Sequence, residues 1–432
     1  MKAEAFAHLG ARTPTRTAVW LFLSFAFAYF LSALLRGVTA TLAPNFSAEL
    51  GLGAGDLGLL SGAFFLGFAV MQLPVGSALD RFGPRRVMVA FLLIAVLGCA
   101  AFGAARSFAT LTLARTLIGV GVSASLMAPM TTFRHRFTPI AQMRANSWIL
   151  MTGSLGMVAS TLPVQWLLPV LGWRGLFWAI AAALALGAAA IACFVPPDGA
   201  RPGAAKHALT SGYREIFRHP TFQRFAPLGF FQYGGMIAVQ SLWAGPWLVN
   251  VSGLTPGAAA GGLFGINVSM LVAFMSWGAL VPRLYARGWT AQGLIARGTP
   301  LALGALVLAL LLGPASTALN WAAFCVCSTF TALSQPAIGQ AFPARVAGRA
   351  LSAYNLVIFA GVFVSQWGLG LAIDGFRAAG WDTVSAYRGA FALMTGCCAF
   401  SYLWFLWRDD RAVLPKTEPS LRTVDNPPPC RD

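Results

Sequence analysis

Two arginines lie inside long apolar stretches of the sequence. Arg36 lies about seven residues before the end of its apolar stretch, which Pro44 follows, and Arg115 lies about seven residues after the start of another apolar stretch. A charge in hydrocarbon is costly, so each arginine needs a partner or a water-filled space. A guanidinium presents a planar fork of N–H donors that matches a carboxylate or a phosphate. Both residues are therefore candidates for recognising an anionic ligand.

Other polar side chains in the apolar stretches could complete such a site. Gln240 and Trp243 are three residues apart and would share a helix face, where they could hydrogen-bond and stack on a ligand. Alternatively, neighbouring helices satisfy the amides and the aromatic rings pack at the membrane interface. The remaining candidates are Tyr29, Asn267, Gln335, Tyr354 and Asn355. The 13 Asp and Glu residues all lie in loops, tails or at span ends, so the ligand itself could neutralise the arginines.

The composition indicates a polytopic membrane protein. Of 432 residues, 57% are hydrophobic and 10% are charged, and the mean hydropathy is +0.69; soluble domains carry about 25% charged residues. A membrane-crossing helix needs about 20 apolar residues. We therefore predict an all-α membrane protein with twelve transmembrane helices. They are placed at residues 17–43, 55–79, 87–105, 108–133, 145–169, 174–196, 225–250, 258–282, 291–313, 317–341, 350–374 and 384–408.

The spans divide into two groups of six around one long polar connection. The linker contains a segment from Tyr213 to Phe225 that mixes basic and apolar side chains, which suggests a helix lying on the inner leaflet. The predicted organisation is an N-terminal tail at 1–16, a bundle at 17–196, a linker at 197–224, a bundle at 225–408 and a C-terminal tail at 409–432.

The basic residues define an orientation. With both termini cytoplasmic, only four of the 30 Lys and Arg residues face outside: Arg106, Arg174, Arg377 and Arg388. The positive-inside rule therefore predicts an inner (plasma) membrane protein with both termini inside. The net charge of +17 reflects this orientation and not a nucleic-acid partner, because no basic stripe is interleaved with exposed aromatic residues.

Residues 76–86 read GSALDRFGPRR, between two apolar spans. Such a charge cluster must lie in water, Gly76 would let helices approach closely, and Gly83 with Pro84 predicts a tight turn. A Gly followed four residues later by Asp, then Arg, Gly and more basic residues closely resembles the signature loop between the second and third helices of the major facilitator superfamily. An ordinary basic loop would explain the arginines but not Asp80 or the glycine spacing.

A second string supports the same resemblance. Residues 111–121 read LTLARTLIGVG, similar to the superfamily's fourth-helix motif, in which an arginine precedes Gly-x-Gly. Arg115 takes the place of that arginine, which the family links to substrate binding or proton coupling. In the family fold the first and fourth helices line a central cavity. The resemblance therefore implies that Arg36 and Arg115, each about 10 Å from the outer helix end, form one cationic site. The alternative for Arg115 is snorkelling to the outer surface.

The halves of the chain also repeat. Phe137 precedes Arg144 by seven residues, as Phe342 precedes Arg349. Internal duplication is typical of secondary transporters, and the resemblance implies two pseudo-symmetric six-helix bundles. It also implies that Asp80 pairs with Arg144 and faces the start of the eleventh helix when the inner gate is shut. The predicted gating set is Gly76, Asp80, Arg81, Gly83, Arg85, Arg86, Arg144 and Arg349.

These features predict a secondary transporter that moves a small anionic solute by alternating access. The stretch from Arg36 to Pro44, the Asp80 loop and the Trp173-Arg174 segment look most like the organic-anion and nitrate-type members. The spans lack a central carboxylate and the exporter-type fifth-helix pattern, which favours uptake or exchange over multidrug export. A co-transported proton would then require an acidic substrate or a rim residue.

Other functions remain as alternatives. Soft ligands such as Cys325, Cys327, Cys397 and Cys398 would suit copper, although residues two apart point to different helix faces. A siderophore transporter, or a receptor or sensor on the same scaffold, is also compatible. The sequence lacks H-E-x-x-H, G-x-S-x-G and P-loop motifs, so no enzyme is predicted. We further expect no cofactor or resident metal, and a monomer surrounded by lipid.

Overall fold

The computed structural model describes residues 15–197 and 213–408, which are almost entirely helical, with no strand among them. Nearly all of the predicted N-terminal tail, residues 198–212 of the predicted linker and the whole predicted C-terminal tail lie outside the described residues.

The first half of the chain forms six crossings, which broadly follow the predicted spans. They are α1 (Thr15–Leu50), α2 (Ala54–Val70, continued after a bend by Gln72–Phe82), α3 (Pro84–Ala104), α4 (Phe108–Val122, continued by Met127–Arg136), α5 (Pro139–Ala159, continued by residues 162–171) and α6 (residues 173–194). Gly172, at φ 63° and ψ 170°, separates α5 from α6 inside one helical run. This left-handed conformation suits glycine because it has no Cβ atom.

The second half forms the other six crossings. They are α7 (residues 220–250, through Pro220–Pro227, Leu228–Tyr233, Gly234–Ala238, Val239–Trp243 and Ala244–Asn250), α8 (Pro256–Ala286), α9 (Ala291–Leu312), α10 (Ala318–Ser328, Thr329–Leu333 and Ser334–Ala341), α11 (Ala344–Ala378) and α12 (Thr383–Trp407).

The membrane-crossing count agrees with twelve helices. By length and composition, nine helices of the described chain could cross a membrane, or ten when the two parts of α2, bent by 45°, count as one. The other two are α5, which is interrupted at residues 160–161, and α7, which is built from short α-helical and π-helical segments. The prediction of an all-α, twelve-helix membrane protein is confirmed.

Helix α1 is longer than predicted. The apolar pattern predicts that the first span ends just before Pro44, but α1 continues through this proline to Leu50. Proline cannot donate to the carbonyl four residues earlier, which here belongs to Ala40. Gly245 of α7 packs against that carbonyl, and a Cβ atom on Gly245 would lie 2.8 Å from the oxygen. Arg36 therefore lies about 21 Å from the end of α1, and not about 10 Å as expected.

The two halves meet most closely where α2 runs antiparallel to α11. Glycines remove the side chains that would hold these helices apart: a Cβ atom on Gly58 would lie 2.3 Å from the carbonyl oxygen of Gln366. A Cβ atom on Gly370 would likewise lie 2.3 Å from the carbonyl oxygen of Ala54. These two contacts lie on the same side of the molecule as Glu49. We call that side the Glu49 end and the opposite side the basic end. The halves are packed together at the Glu49 end.

The linker does not contain the expected surface helix. The short helix Tyr213–Arg218 and the first segment of α7, Pro220–Pro227, take its place. They are separated at His219. The apolar side chains Ile216, Phe222 and Phe225 are buried in a cluster with residues of α9 to α12. The expectation of a helix lying on the leaflet is wrong for these residues, because their apolar faces pack on protein.

Candidate functional site

The most distinctive polar group of the described chain is Arg36, near the middle of α1. Its guanidinium carbon lies 5.7 Å from the ring centre of Phe68 on α2 and 6.0 Å from that of Phe359 on α11. The two rings are 4.5 Å apart and join the two halves. The guanidinium forms no hydrogen bond or ion pair with the described residues, and its Nε atom is buried without a partner. Arg36 is thus a free cation over an aromatic pair.

Two tyrosines border the same region. Tyr233 of α7 is close enough to interact electrostatically with both Arg36 and Tyr29. Tyr29 is 7% exposed, and its ring packs against Gly153 of α5, where a Cβ atom would come within 2.3 Å of the ring. The surroundings of Arg36 therefore combine one cation with phenol and phenyl rings from both halves, which is suited to an anion with an apolar body.

Arg115 does not join this group. It is completely buried, and its Nη2 donates to the carbonyl of Leu35 at 2.8 Å and to the hydroxyl of Thr39. Its guanidinium also stacks 5.0 Å from the ring centre of Phe64. The two arginines are level along α1, but Arg115 is enclosed between helices of its own half. The expectation that both face one cavity is wrong in this structure, as is snorkelling to the surface.

The predicted pair of Gln240 and Trp243 is divided between two environments. Gln240 is half-buried and donates to the amide oxygen of Asn267 on α8 at 2.9 Å. Trp243 is fully buried and donates to the carbonyl of Gln366 on α11 at 3.1 Å. The expectation that the tryptophan shares a ligand-facing surface with Gln240 is wrong here, because the π-helical turn Val239–Trp243 changes the direction of its side chain.

The remaining predicted site residues lie on α10 and α11, nearer the basic end. Gln335 donates to Asn355 at 3.1 Å, and both are half-buried. Asn355 lies one helical turn from Phe359, and so from the aromatic pair below Arg36. Tyr354 is fully buried and donates to the carbonyl of Phe225 at 3.3 Å, so it packs within its own half.

The loop of residues 76–86, at the basic end, has the predicted tight turn. Gly83 adopts φ 78°, and Pro84 starts α3, where its missing N–H is not needed. Gly76, by contrast, makes no close approach: a Cβ atom there would meet nothing within 4 Å. The expectation of tight helix packing at Gly76 is wrong for this conformation.

The side chains predicted to act in gating are spread over this end. Arg85 donates to the carbonyl of Ala192 on α6, and Arg81 lies 5.0 Å from the ring centre of Phe82. Arg86 is exposed, and Arg349 is half-buried.

Asp80 and Arg144 are both exposed and do not pair with each other. The resemblance predicted that pair only for a shut inner gate, so the latch remains a prediction.

The family of the chain follows from a comparison with known proteins. A family model described as the Major Facilitator Superfamily matches residues 25–366, from within α1 to within α11. The chain belongs to this superfamily. The predicted family and the prediction that the chain is not an enzyme are thereby confirmed.

Two curated superfamily relatives from bacteria are similar over about half of their length. The chain is 26% identical over 244 residues to the probable sulfoacetate transporter SauU of Cupriavidus necator, covering 52% of this chain and 56% of that protein. It is 31% identical over 191 residues to the cis,cis-muconate transport protein of Acinetobacter baylyi, covering 41% and 44%.

Among solved structures, the fold resembles an inward-facing bacterial homologue of the human lysosomal transporter Spinster, at a TM-score of 0.73 and 18% identity, covering 92% of this chain and 98% of that one. That likeness concerns the fold alone.

Sequence reasoning missed several groups that the superfamily fold brings together. Phe68 and Phe359 carry no polar atom, so nothing marked them before α2 and α11 were packed. Glu49 accepts hydrogen bonds from Trp173 and Arg174, which tie the last turn of α1 to the start of α6 at the Glu49 end. No group of three or more His, Cys, Asp or Glu side chains comes together within residues 15–197 and 213–408.

Proposed function

We propose that this protein is a secondary transporter that moves a small organic anion across the membrane by alternating access. The observation that carries the proposal is the unpaired guanidinium of Arg36 between the two halves, above the Phe68–Phe359 pair. A cation without a protein partner in an apolar membrane protein is costly unless a ligand completes it. The names of the two relatives, which specify sulfoacetate and cis,cis-muconate, support an organic acid as the substrate.

In this proposal the guanidinium of Arg36 binds the acidic group and the rings bind the carbon skeleton. A carboxylate can accept two parallel N–H bonds from the terminal nitrogens of the guanidinium. Phe68 and Phe359 supply flat apolar surfaces beside it, and Tyr233 supplies a hydroxyl. Arg115 has an indirect role: its bonds to Leu35 and Thr39 fix the rotation of α1 and so the direction of Arg36.

Each of two amide pairs has one member on a helix that borders this group, either α7 or α11. Gln240 with Asn267 and Gln335 with Asn355 can exchange their mutual hydrogen bonds for bonds to a substrate at little cost. Both pairs are half-buried or better, and each joins two helices of the second half. We propose that they orient the end of the substrate remote from Arg36.

The lack of a central carboxylate in the spans supports uptake or exchange over multidrug export. With the acids of the described chain at helix ends and rims, a co-transported proton would travel on the substrate or on a rim acid such as Asp56 or Asp374. We propose uptake or exchange of the anion in an inner membrane, with both termini cytoplasmic and the basic end inside, by a monomer surrounded by lipid. The positive-inside rule supports this orientation.

The test is anion binding and flux in purified protein. A panel of carboxylates, sulfonates, phosphates, siderophores and metal ions is screened by thermal stabilisation, because a ligand that binds the folded state raises Tm. Uptake of the stabilising compound is then measured in proteoliposomes. Arg36→Gln should lower anion affinity by at least about tenfold, the loss expected for a charged hydrogen-bonded pair. Arg106→Gln, an exposed arginine at the Glu49 end, is the matched control.

Each outcome bears on the assignment. Full anion affinity in Arg36→Gln would refute the site, and stabilisation by cations or copper alone would refute the substrate class. Anion binding without flux would favour a receptor or sensor on this scaffold.

A further inference from the structure

A carboxylate of one half caps a helix of the other half at the Glu49 end. Asp374 lies in the last turns of α11, next to the first turn of α2. Its Oδ2 accepts a hydrogen bond from the backbone N–H of Gly55 at 2.7 Å, and its Oδ1 accepts one from Ala54 at 3.2 Å. The bonded residues are 320 and 319 positions apart in the chain, so these two hydrogen bonds join the two halves.

Helix α2 depends on this carboxylate for its capping. The first N–H groups of a helix have no partner within the helix and carry a partial positive charge. The residue before α2 is Gly53, which has no side chain with which to cap them. Asp56 accepts only from the N–H of Gly53, at 3.1 Å. The N–H groups of Ala54 and Gly55 are therefore satisfied from the opposite half.

The local packing makes this contact possible only when the halves are together. A Cβ atom on Gly55 would lie 2.8 Å from Oδ2 of Asp374, and one on Gly53 would lie 3.2 Å from it. Any separation of α2 from α11 at this end would break both hydrogen bonds and leave the start of α2 uncapped. The other charged or titratable groups near Asp374 are Asp56, Arg377 and Tyr387.

We propose that Asp374 is the latch of the Glu49-end gate. It holds the two halves closed by capping α2 across their interface, and it must be released for that end to open. The inference rests on the proposed alternating-access function, since only a protein whose halves separate needs a latch. The antiparallel pair then carries one acid at each end: Asp374 of α11 faces the start of α2, and Asp80 of α2 is expected to face the start of α11 when the basic end shuts. The bond to Asp374 is formed in this structure, and Asp80 is unpaired.

The experiment measures the gate directly, without transport. Spin labels are attached to Ala109→Cys and Ala315→Cys, which are exposed at the Glu49 end of the first and second half, after replacement of the native cysteines. Double electron–electron resonance on the purified protein then gives the populations with this end closed and open. Loss of a helix cap corresponds to about a twofold to thirtyfold change in an equilibrium constant, so Asp374→Ala should raise the open-to-closed ratio by that factor. Asp374→Asn, which keeps the shape and one acceptor, should give a smaller shift.

Asp382 offers a matched control. It caps α12 within its own half by accepting from the N–H of Ser385 at 3.3 Å. Hydrogen bonding by the Ser385 side chain, and to a smaller extent by backbone N–H groups, lowers the pKa of its carboxyl group. Asp382→Ala should leave the distance distribution unchanged. Unchanged populations in both Asp374 variants would overturn the latch, as would an equal shift in Asp382→Ala. Because the readout is a distance, a shifted distance distribution in Asp374→Ala supports the latch even if no transported anion is found. If the shift is seen but no anion is transported, that result counts only against the proposed substrate.

Discussion

Replacing Gly58 by alanine should open the Glu49 end without unfolding the protein. The new Cβ atom would lie 2.3 Å from the carbonyl oxygen of Gln366 and 3.1 Å from the Cα atom of Trp367, both backbone atoms of α11. No side-chain rotation can relieve this contact. Helices α2 and α11 would have to separate by about 1 Å to restore van der Waals distance, in an interior that is otherwise close-packed.

The magnitude follows from two opposing effects. Overpacking of this kind costs about 1–3 kcal/mol, and it acts only while the halves are closed at this end. Alanine in place of glycine stabilises the helix by about 1 kcal/mol, and it does so whether the end is open or closed. The closed state should therefore lose about 1–3 kcal/mol relative to the open state, which corresponds to about a 5–150-fold rise in the open-to-closed ratio. The free energy of unfolding should change little.

The measurement uses the spin labels at Ala109→Cys and Ala315→Cys, together with Tm of the same protein. Gly119→Ala is the control, since its Cβ atom would lie 2.0 Å from the carbonyl oxygen of Phe64 within the same half. Gate opening cannot relieve that contact, so Gly119→Ala should lower Tm and leave the label distances unchanged. If Gly58→Ala instead lowers Tm and keeps the wild-type distances, the interface between α2 and α11 is a permanent contact and the reasoning fails.

Three further outcomes follow from the geometry. Arg115→Met should keep or raise Tm, because it removes a fully buried cation whose Nε and Nη1 atoms have no partner. Thermal unfolding in detergent measures this, and a large fall in Tm would contradict the prediction. Gly153→Ala should push the ring of Tyr29 out of place, since the Cβ atom would lie 2.3 Å from it, and should weaken binding by about tenfold in titrations with the stabilising anion; unchanged affinity would exclude Tyr29 from the site. Trp243→Phe removes the donor to Gln366 and should cost about 1 kcal/mol of stability while leaving anion affinity intact, because the indole is fully buried; a selective loss of affinity would restore the ligand-stacking hypothesis.

Much of the architecture could be read from local sequence. Long apolar stretches define membrane helices because the cost of unpaired backbone in lipid leaves few alternatives, and the GSALDRFGPRR loop and the Arg115 string carry the family resemblance in short contiguous motifs. Helix ends were harder to predict. Pro44 predicts the end of the first span, but α1 continues through it to Leu50, and Gly245 of α7 packs against the carbonyl of Ala40 that receives no N–H from Pro44.

The site could be predicted only in part. Arg36 was identified because a charge in an apolar span is rare whatever surrounds it. The direction of a side chain could not be predicted in the same way. Arg36 and Arg115 both lie within apolar spans of the sequence, but in the structure Arg36 is free and Arg115 is enclosed. The prediction for Trp243 is wrong for a related reason. A spacing of three residues places Gln240 and Trp243 on one face of an α-helix, but in the π-helical turn Val239–Trp243 the two side chains point in different directions.

The amino-acid sequence by itself determined that this protein is a twelve-helix membrane protein of the Major Facilitator Superfamily with a basic side and two intramembrane arginines, because hydropathy, charge bias and short motifs are local properties. Only the tertiary structure decided that Arg36 stands free over Phe68 and Phe359, that Arg115 is buried within its own half and bonded to α1 through Nη2, and that Asp374 caps α2 from the opposite half. These relations join residues far apart in the chain. They depend on which helices pack together and how closely, and glycines on both sides of the interface between α2 and α11 set that distance.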